Sequence, residues 1–127
     1  MLGSSDVVAF VATTNADRAR EFYGGVLGLR LVADEPFALV FDAHGTTLRV
    51  QKVQELAPAR YTVLGWLVPD VAAAVAQLAA EGVAFVRYPG LPQDALGVCT
   101  FPGGGRVAWF KDPDGNTLSL TEGGTRA

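Results

Sequence analysis

The chain has very few of the residues that form disulfides and metal sites, with one cysteine and one histidine among 127 residues. A single cysteine cannot form an intrachain disulfide, so we expect a reducing compartment, the cytoplasm. Lysine and arginine form no cluster and the formal net charge is −3, so we expect neither nucleic acid nor a membrane surface as a partner. No apolar run is long enough to cross a bilayer, and residues 1–6 do not resemble the start of a signal peptide.

What the sequence does contain is an internal repeat. Val40–Val50 aligns with Phe110–Leu120 at an offset of 112 − 42 = 70, with Asp, Gly, Thr and Leu in matching places. Val8–Val32 aligns with Val63–Arg87 at an offset of 70 − 15 = 55. A supersecondary unit used twice predicts two similar modules with a cleft between their sheets, where a ligand would bind.

The predicted fold class is α+β, with two βαβββ modules related by pseudo-twofold symmetry in a single domain, 1–127. The first module covers about residues 6–53 and the second about 61–121, with a linker at 54–60 and a flexible tail at 122–127. Asn15 and Asp70 are the predicted helix N-caps, and Gly28 and Gly82 the helix stops. The predicted strands are 7–12, 29–32, 37–41 and 46–53, then 62–68, 83–87, 98–101, 107–111 and 117–121.

Two segments carry a resemblance to a known family. Asn15–Tyr23 followed by Val26–Leu29 resembles the "D…FY…vLGl" segment of the vicinal oxygen chelate superfamily, and Phe110–Asn116 resembles its "DPdGn" signature. That superfamily includes glyoxalase I, extradiol dioxygenases, fosfomycin-resistance enzymes and bleomycin-resistance proteins. The resemblance covers nearly the whole chain and implies the paired βαβββ fold. Both motifs are structural, one packing a helix and the other forming a turn, so they indicate architecture without fixing the chemistry.

The resemblance also implies where metal-using members hold their ion. Their ligands lie at four matching strand positions, which in this chain are Val8, Arg49, Val63 and Ser119. Valine has no lone pair to donate, arginine is a permanent cation, and serine alone is a poor ligand for divalent metals. We therefore expect no metal and no cofactor, and we disfavour metal-dependent glyoxalase or dioxygenase activity.

Arg49 is the most informative candidate for ligand binding. Strand parity places Arg49 on one face with Thr47 and Gln51, the face that carries the site in the family. A guanidinium on an otherwise apolar face needs a partner. Two partners stay open, an anionic group of a ligand and an internal Asp or Glu.

Aromatic residues are expected beside this cation. Trp109 lies opposite Ser119 if the second hairpin is symmetric about Asp114, and the repeat matches Leu39 with Trp109. An aromatic-lined cleft with a few polar groups suits a flat or amphiphilic small molecule. The alternative, in which the aromatics fill a dimer core, stays open. The predicted ligand-binding residues are Phe10, Arg49, Gln51, Leu67, Trp109 and Ser119.

Four other residues favour structural interpretations. Trp66 has the strand parity that faces a helix. His44 falls in a turn, and Cys99 reads as a buried inert thiol without an adjacent basic residue. Glu122 lies three residues after Ser119, which places its side chain on the opposite face of a regular strand.

The sequence as a whole predicts a metal-free small-molecule-binding protein that forms a homodimer. The mode of binding is what the resemblance implies, since bleomycin-resistance proteins sequester a drug in a cleft between subunits without changing it. Two alternatives stay open. One is an enzyme of lyase, isomerase or dioxygenase type with an atypical site, in which Arg49 clamps an oxyanion. The other is a structural or regulatory module whose cleft is filled by side chains.

Overall fold

A computed structural model describes residues 1–127. The chain separates into a first unit, Met1–Pro58, and a second unit, Ala59–Ala127. The boundary falls inside the segment predicted as the linker. Each unit contains one four-stranded mixed sheet, and the helices are short. The predicted α+β class with a repeated strand–helix–strand unit is confirmed.

The first unit forms its sheet in the order β1-β4-β3-β2. Strand β1 is parallel to β4, and the other neighbours are antiparallel. A 3₁₀ turn at Leu2–Ser4 precedes the sheet. The elements are β1 (Val8–Thr13), α1 (Ala16–Arg20) continuing as a π-helical segment (Glu21–Val26), β2 (Arg30–Asp34), β3 (Ala38–Ala43) and β4 (Thr46–Lys52).

Local sequence signals set the ends of these elements. The Asn15 side chain accepts a hydrogen bond of 3.1 Å from the Arg18 N–H, as expected of an N-cap. Gly28, with φ of 77°, ends the helical segment in a conformation that suits glycine. The β3–β4 turn consists of His44 and Gly45, with φ of 51° and 90°, which is the two-residue hairpin turn that requires positive φ at both positions. His44 is therefore a turn residue, as predicted.

The two faces of the first sheet differ sharply in burial. On the face towards the helix, Phe41, Leu48 and Val50 are fully buried, and the Tyr23 ring centre lies 6.1 Å from that of Phe41. Residues paired across neighbouring strands share a face. The opposite face, which we call the first open face, carries Val8, Phe10, Ala12, Thr47, Arg49 and Gln51.

The second unit repeats the arrangement with strand order β5-β8-β7-β6, and β5 is parallel to β8. Asp70 caps α2 by accepting a 3.1 Å hydrogen bond from the Ala73 N–H, as predicted. No helix of the chain has the length and apolar character needed to span a membrane. The elements are β5 (Leu64–Leu67), α2 (Val71–Ala80), β6 (Cys99–Thr100), β7 (Arg106–Lys111) and β8 (Thr117–Glu122).

Burial again distinguishes the faces of the second sheet. Phe110 and Leu118 are fully buried on the face that packs against α2. The Trp66 ring stacks on Phe110 with centres 6.4 Å apart, so Trp66 lies on the helix side as its parity predicted. The opposite face, which we call the second open face, carries Gly65, Leu67, Val107, Trp109, Ser119 and Thr121.

Two predictions for the second unit are wrong, one about a strand and one about the start of the tail. Residues 83–87 form no strand and make only an isolated bridge between Phe85 and Phe110. The Gln93 side chain explains this, because its amide accepts from the Tyr88 N–H at 2.7 Å and donates to the Val86 carbonyl at 2.9 Å, replacing a strand partner. Glu122, predicted to begin a flexible tail, is instead the last residue of β8.

Candidate functional site

The first open face is organised around Arg49. Arg49 pairs in register with Phe10 of β1 and with Val40 of β3. Its Nη2 atom donates a 2.7 Å hydrogen bond to Oε1 of Glu35. Glu35 follows β2 directly, and its N–H is bonded to the Ala38 carbonyl. Of the two partners considered for the guanidinium, the structure therefore contains the internal carboxylate.

This ion pair is only partly shielded from water. The side chains of Arg49 and Glu35 are 33% and 47% exposed, so water screens their attraction. A second pair on the same face, Arg30 with Asp42, joins Nη2 to Oδ2 at 3.5 Å. The two cations are thus matched by two carboxylates. Beside them Phe10 is 51% exposed, which leaves an aromatic ring next to a locally neutral polar cluster.

The second open face contains Trp109, Ser119 and Gly65 side by side on three adjacent strands. Trp109 pairs with Ser119, and Ser119 with Gly65, so the predicted position of Trp109 opposite Ser119 is confirmed. The Tyr88 ring meets Trp109 edge-on, with centres 5.3 Å apart and planes at 88°. Leu67, further along β5, is exposed on the same face. The predicted residues Trp109, Ser119 and Leu67 therefore share one surface.

The proposed match between Leu39 and Trp109 is wrong. Leu39 pairs with Val50 and is buried on the helix side, whereas Trp109 pairs with Ser119 on the open side. The cause is turn length, because a two-residue turn joins β3 to β4 while Asp112–Asn116 joins β7 to β8. The longer turn shifts the register by one residue, and such a shift moves a side chain to the other face. The structural counterpart of Trp109 is Val40, the partner of Arg49.

The four positions predicted to match the metal ligands of the resembled family do not suit a metal in this chain. In the first unit they hold Val8 and the ion-paired Arg49. In the second they hold Val63 and Ser119. No group of three or more His, Cys, Asp or Glu side chains is arranged to hold a metal ion. The donor set therefore does not fit a divalent cation, which needs imidazole, carboxylate or thiolate ligands.

Two acidic residues near the end of the chain, Glu122 and Asp112, have structural partners. Glu122 accepts a 2.9 Å hydrogen bond from the Val71 N–H at the start of α2, on the helix side of the sheet, as its parity predicted. Asp112 is buried and its Oδ1 atom accepts from the Asp114 and Asn116 N–H groups. The Glu122 carboxylate therefore stabilises the start of α2, and the Asp112 carboxylate stabilises the turn that follows β7.

Sequence reasoning missed three residues of these surfaces. Glu35 gave no signal, because its contact with Arg49 joins residues 14 positions apart. Tyr88 gave none either, because it lies on an irregular segment. For Gly65 a signal was present, because the offset of 55 matches this residue with Phe10. A glycine in place of a phenylalanine indicates that the second sheet has a smaller side chain at this position than the first.

Comparison with known protein families agrees with this architecture. The profile of the Glyoxalase/Bleomycin resistance protein/Dioxygenase superfamily matches residues 6–120. The chain belongs to this superfamily. No curated protein matches the chain in sequence.

Solved structures of the superfamily share the fold over nearly the whole chain. A lactoylglutathione lyase from Agrobacterium tumefaciens is similar with a TM-score of 0.74 and 20% identity, covering 95% of this chain and 96% of that one. The fosfomycin resistance protein FosX from Listeria monocytogenes has a TM-score of 0.75 and 15% identity, covering 95% and 94%. A superfamily member from Sphaerobacter thermophilus DSM 20745 has a TM-score of 0.70 and 25% identity, covering 92% and 97%. These similarities support the fold. The chemistry has to be inferred from the residues of this chain, because proteins with one fold perform different functions.

Proposed function

We propose that this protein binds a small organic molecule on the open faces of its sheets, without a catalytic metal and without changing the ligand chemically. One observation carries the proposal: Val8, Arg49, Val63 and Ser119, which stand at the positions predicted to match the ligands of metal-using members, offer no donor set for a divalent cation. The chain belongs to the superfamily over residues 6–120, and the residues on its open faces supply recognition groups in place of metal ligands.

The Arg49–Glu35 pair supports binding without metal. A guanidinium carries its positive charge at every physiological pH, so it repels a cation placed beside it. The bond of 2.7 Å to Glu35 also occupies the nearest carboxylate. A carboxylate held in this way is less available as a metal ligand or as a general base.

The remaining residues of the two faces suit recognition of an organic ligand. Phe10 and Leu67 are exposed apolar side chains, and Gln51 is an exposed amide in register with Ala12. Trp109 and Ser119 add an aromatic surface and a hydroxyl. Binding sites for small molecules typically combine such apolar area with a few polar groups that fix orientation.

Metal analysis and a ligand screen test this proposal together. Protein purified without chelators is expected to contain less than stoichiometric Zn, Ni, Mn or Fe by elemental analysis. A thermal-shift screen of aromatic acids, uncharged aromatics and antibiotics is expected to find compounds that raise the melting temperature, because a ligand that binds only the native state stabilises it. Stoichiometric metal that is lost on changing Arg49 or Ser119, or a screen without a single stabilising compound, contradicts the proposal.

A homodimer belongs to the same proposal. The open faces leave Val8, Phe10, Val63 and Leu67 each at least 40% exposed, and a second copy of the chain would shield part of this apolar area beside the bound ligand. Light scattering at micromolar concentration is expected to give twice the chain mass of 13.3 kDa. A monomer under these conditions contradicts the proposed dimer. It does not contradict ligand binding, which the thermal-shift screen tests.

A further inference from the structure

The two open faces differ at one row of three residues. In the first unit, Val40, Arg49 and Phe10 lie side by side on β3, β4 and β1. The corresponding row of the second unit is Trp109, Ser119 and Gly65, on β7, β8 and β5. Adjacent strands are about 4.8 Å apart, so either row spans about 10 Å. The two largest side chains of the first row are replaced in the second by a hydroxymethyl group and a hydrogen atom.

Ser119 presents a hydroxyl to the space above Gly65. A Cβ atom placed on Gly65 would lie 2.7 Å from Oγ of Ser119, so the hydroxyl lies where a side chain of residue 65 would begin. Ser119 is 6% exposed, and its hydroxyl makes no hydrogen bond in the structure. No fully enclosed side-chain oxygen or nitrogen lacks a partner, so this hydroxyl is still reachable from outside. A nearly buried hydroxyl without a partner is a group that a ligand would satisfy.

The row has the Trp109 side chain at one end, and its other end, at Gly65, lies on the edge strand of the sheet. The Trp109 ring is in edge-on contact with the Tyr88 ring, while β5, which carries Gly65, is the outermost strand of the sheet. No charged residue belongs to the row, in contrast to Arg49 in the first unit. Its shape is a flat floor with an aromatic wall and one hydroxyl, and a planar ring fits such a surface by offset or edge-to-face packing.

We infer that Gly65 and Ser119 form a subsite for an uncharged planar ring with one hydrogen-bonding atom, and that Gly65 sets specificity by leaving room for that ring. The inference rests on the proposed function and names the chemical class of ligand that the second open face accepts. Trp109 packs against the ring, and the Ser119 hydroxyl bonds to its polar atom.

Coumarin is a suitable probe, because it is planar and uncharged and carries one carbonyl acceptor. Titration of ¹⁵N-labelled protein is expected to shift the amide signals of Gly65 and Ser119 and the indole signal of Trp109. Gly65→Ala is expected to weaken coumarin binding at least about tenfold by filling the floor. Ser119→Ala keeps the floor open and removes one neutral hydrogen bond, so about three- to tenfold is expected. Coumarin-3-carboxylate, the anionic analogue, is expected to bind more weakly than coumarin.

Gly103→Ala is the matched control, because Gly103 lies in the same unit with ordinary φ and open space around its Cβ position. It should bind coumarin like the unmodified protein. If Gly65→Ala alone does not fold, the double change Gly65→Ala/Ser119→Ala removes the 2.7 Å contact and leaves 3.3 Å to the Ser119 carbonyl oxygen as the nearest approach. That variant tests the filled floor in a folded protein.

The outcomes separate this inference from the proposed function. Coumarin shifts confined to other residues, unchanged affinity in Gly65→Ala, or tighter binding of the anionic analogue would overturn the subsite. If these results accompany a compound from the screen that stabilises the protein, the proposed function stands and its ligand belongs to another class. If no compound stabilises the protein and coumarin does not bind, both fail.

Discussion

The ion pair between Arg49 and Glu35 provides a direct test of what Arg49 contributes. The change is a double-mutant cycle of Arg49→Met, Glu35→Gln and both together. Methionine keeps the length and apolar area of the arginine stem while removing its charge. Glutamine keeps the shape of glutamate.

The exposure of the pair sets the expected magnitude. A buried pair loses about 3–5 kcal/mol when one partner is removed, because the other charge is left without water or a counter-ion. Here the two side chains are 33% and 47% exposed, so water hydrates whichever charge remains. The coupling free energy should therefore lie in the range of exposed pairs, about 0.2–1 kcal/mol, and should shrink as salt is added.

Urea denaturation of the four proteins at low and high salt measures this coupling. The matched control is the cycle of Arg30→Met with Asp42→Asn, whose side chains are 71% and 36% exposed and whose atoms are 3.5 Å apart. Its coupling should be no larger than that of the Arg49 pair. A coupling above about 3 kcal/mol, or failure of Arg49→Met to fold, would show that the pair is effectively buried and would refute the reasoning from exposure.

Three further changes test other parts of the structure. Glu122→Ala should cost about 0.5–2 kcal/mol in urea denaturation, because it removes the carboxylate that caps the Val71 N–H; a neutral result would contradict the cap. The Lys52 hydrogen bond holds the pKa of Asp34 below its ordinary value of 3.8, so this contribution is present above that value and is lost as the pH falls through the lowered pKa. The stability advantage over Asp34→Asn should therefore shrink below about pH 4, and an advantage that grows on acidification would refute this. Phe110→Ala should cost about 3–5 kcal/mol because the ring is fully buried, and a loss below 1 kcal/mol would show a poorly packed site.

Patterns local in sequence determined much of the fold. The two repeat offsets gave the βαβββ unit twice, and Asn15 and Asp70 cap helices as short-range rules predict. Alternation along β4 placed Arg49 on the open face with Thr47 and Gln51. The helix caps and the strand alternation depend on residues within one turn or one strand, so the sequence alone contains the physical information that fixes them.

Only tertiary structure decided which distant groups meet. Glu35 reaches Arg49 across the sheet, and Glu122 caps a helix that begins 51 residues earlier in the chain. The side chain of Gln93 replaces a strand partner for residues 86–88, which no periodicity signals. Each outcome depends on where side chains end in space, because hydrogen bonds and ion pairs form over about 3–4 Å regardless of sequence separation. Strand parity therefore indicated which residues share a sheet face, whereas the partners of those residues, such as Glu35 and Tyr88, were set by folding.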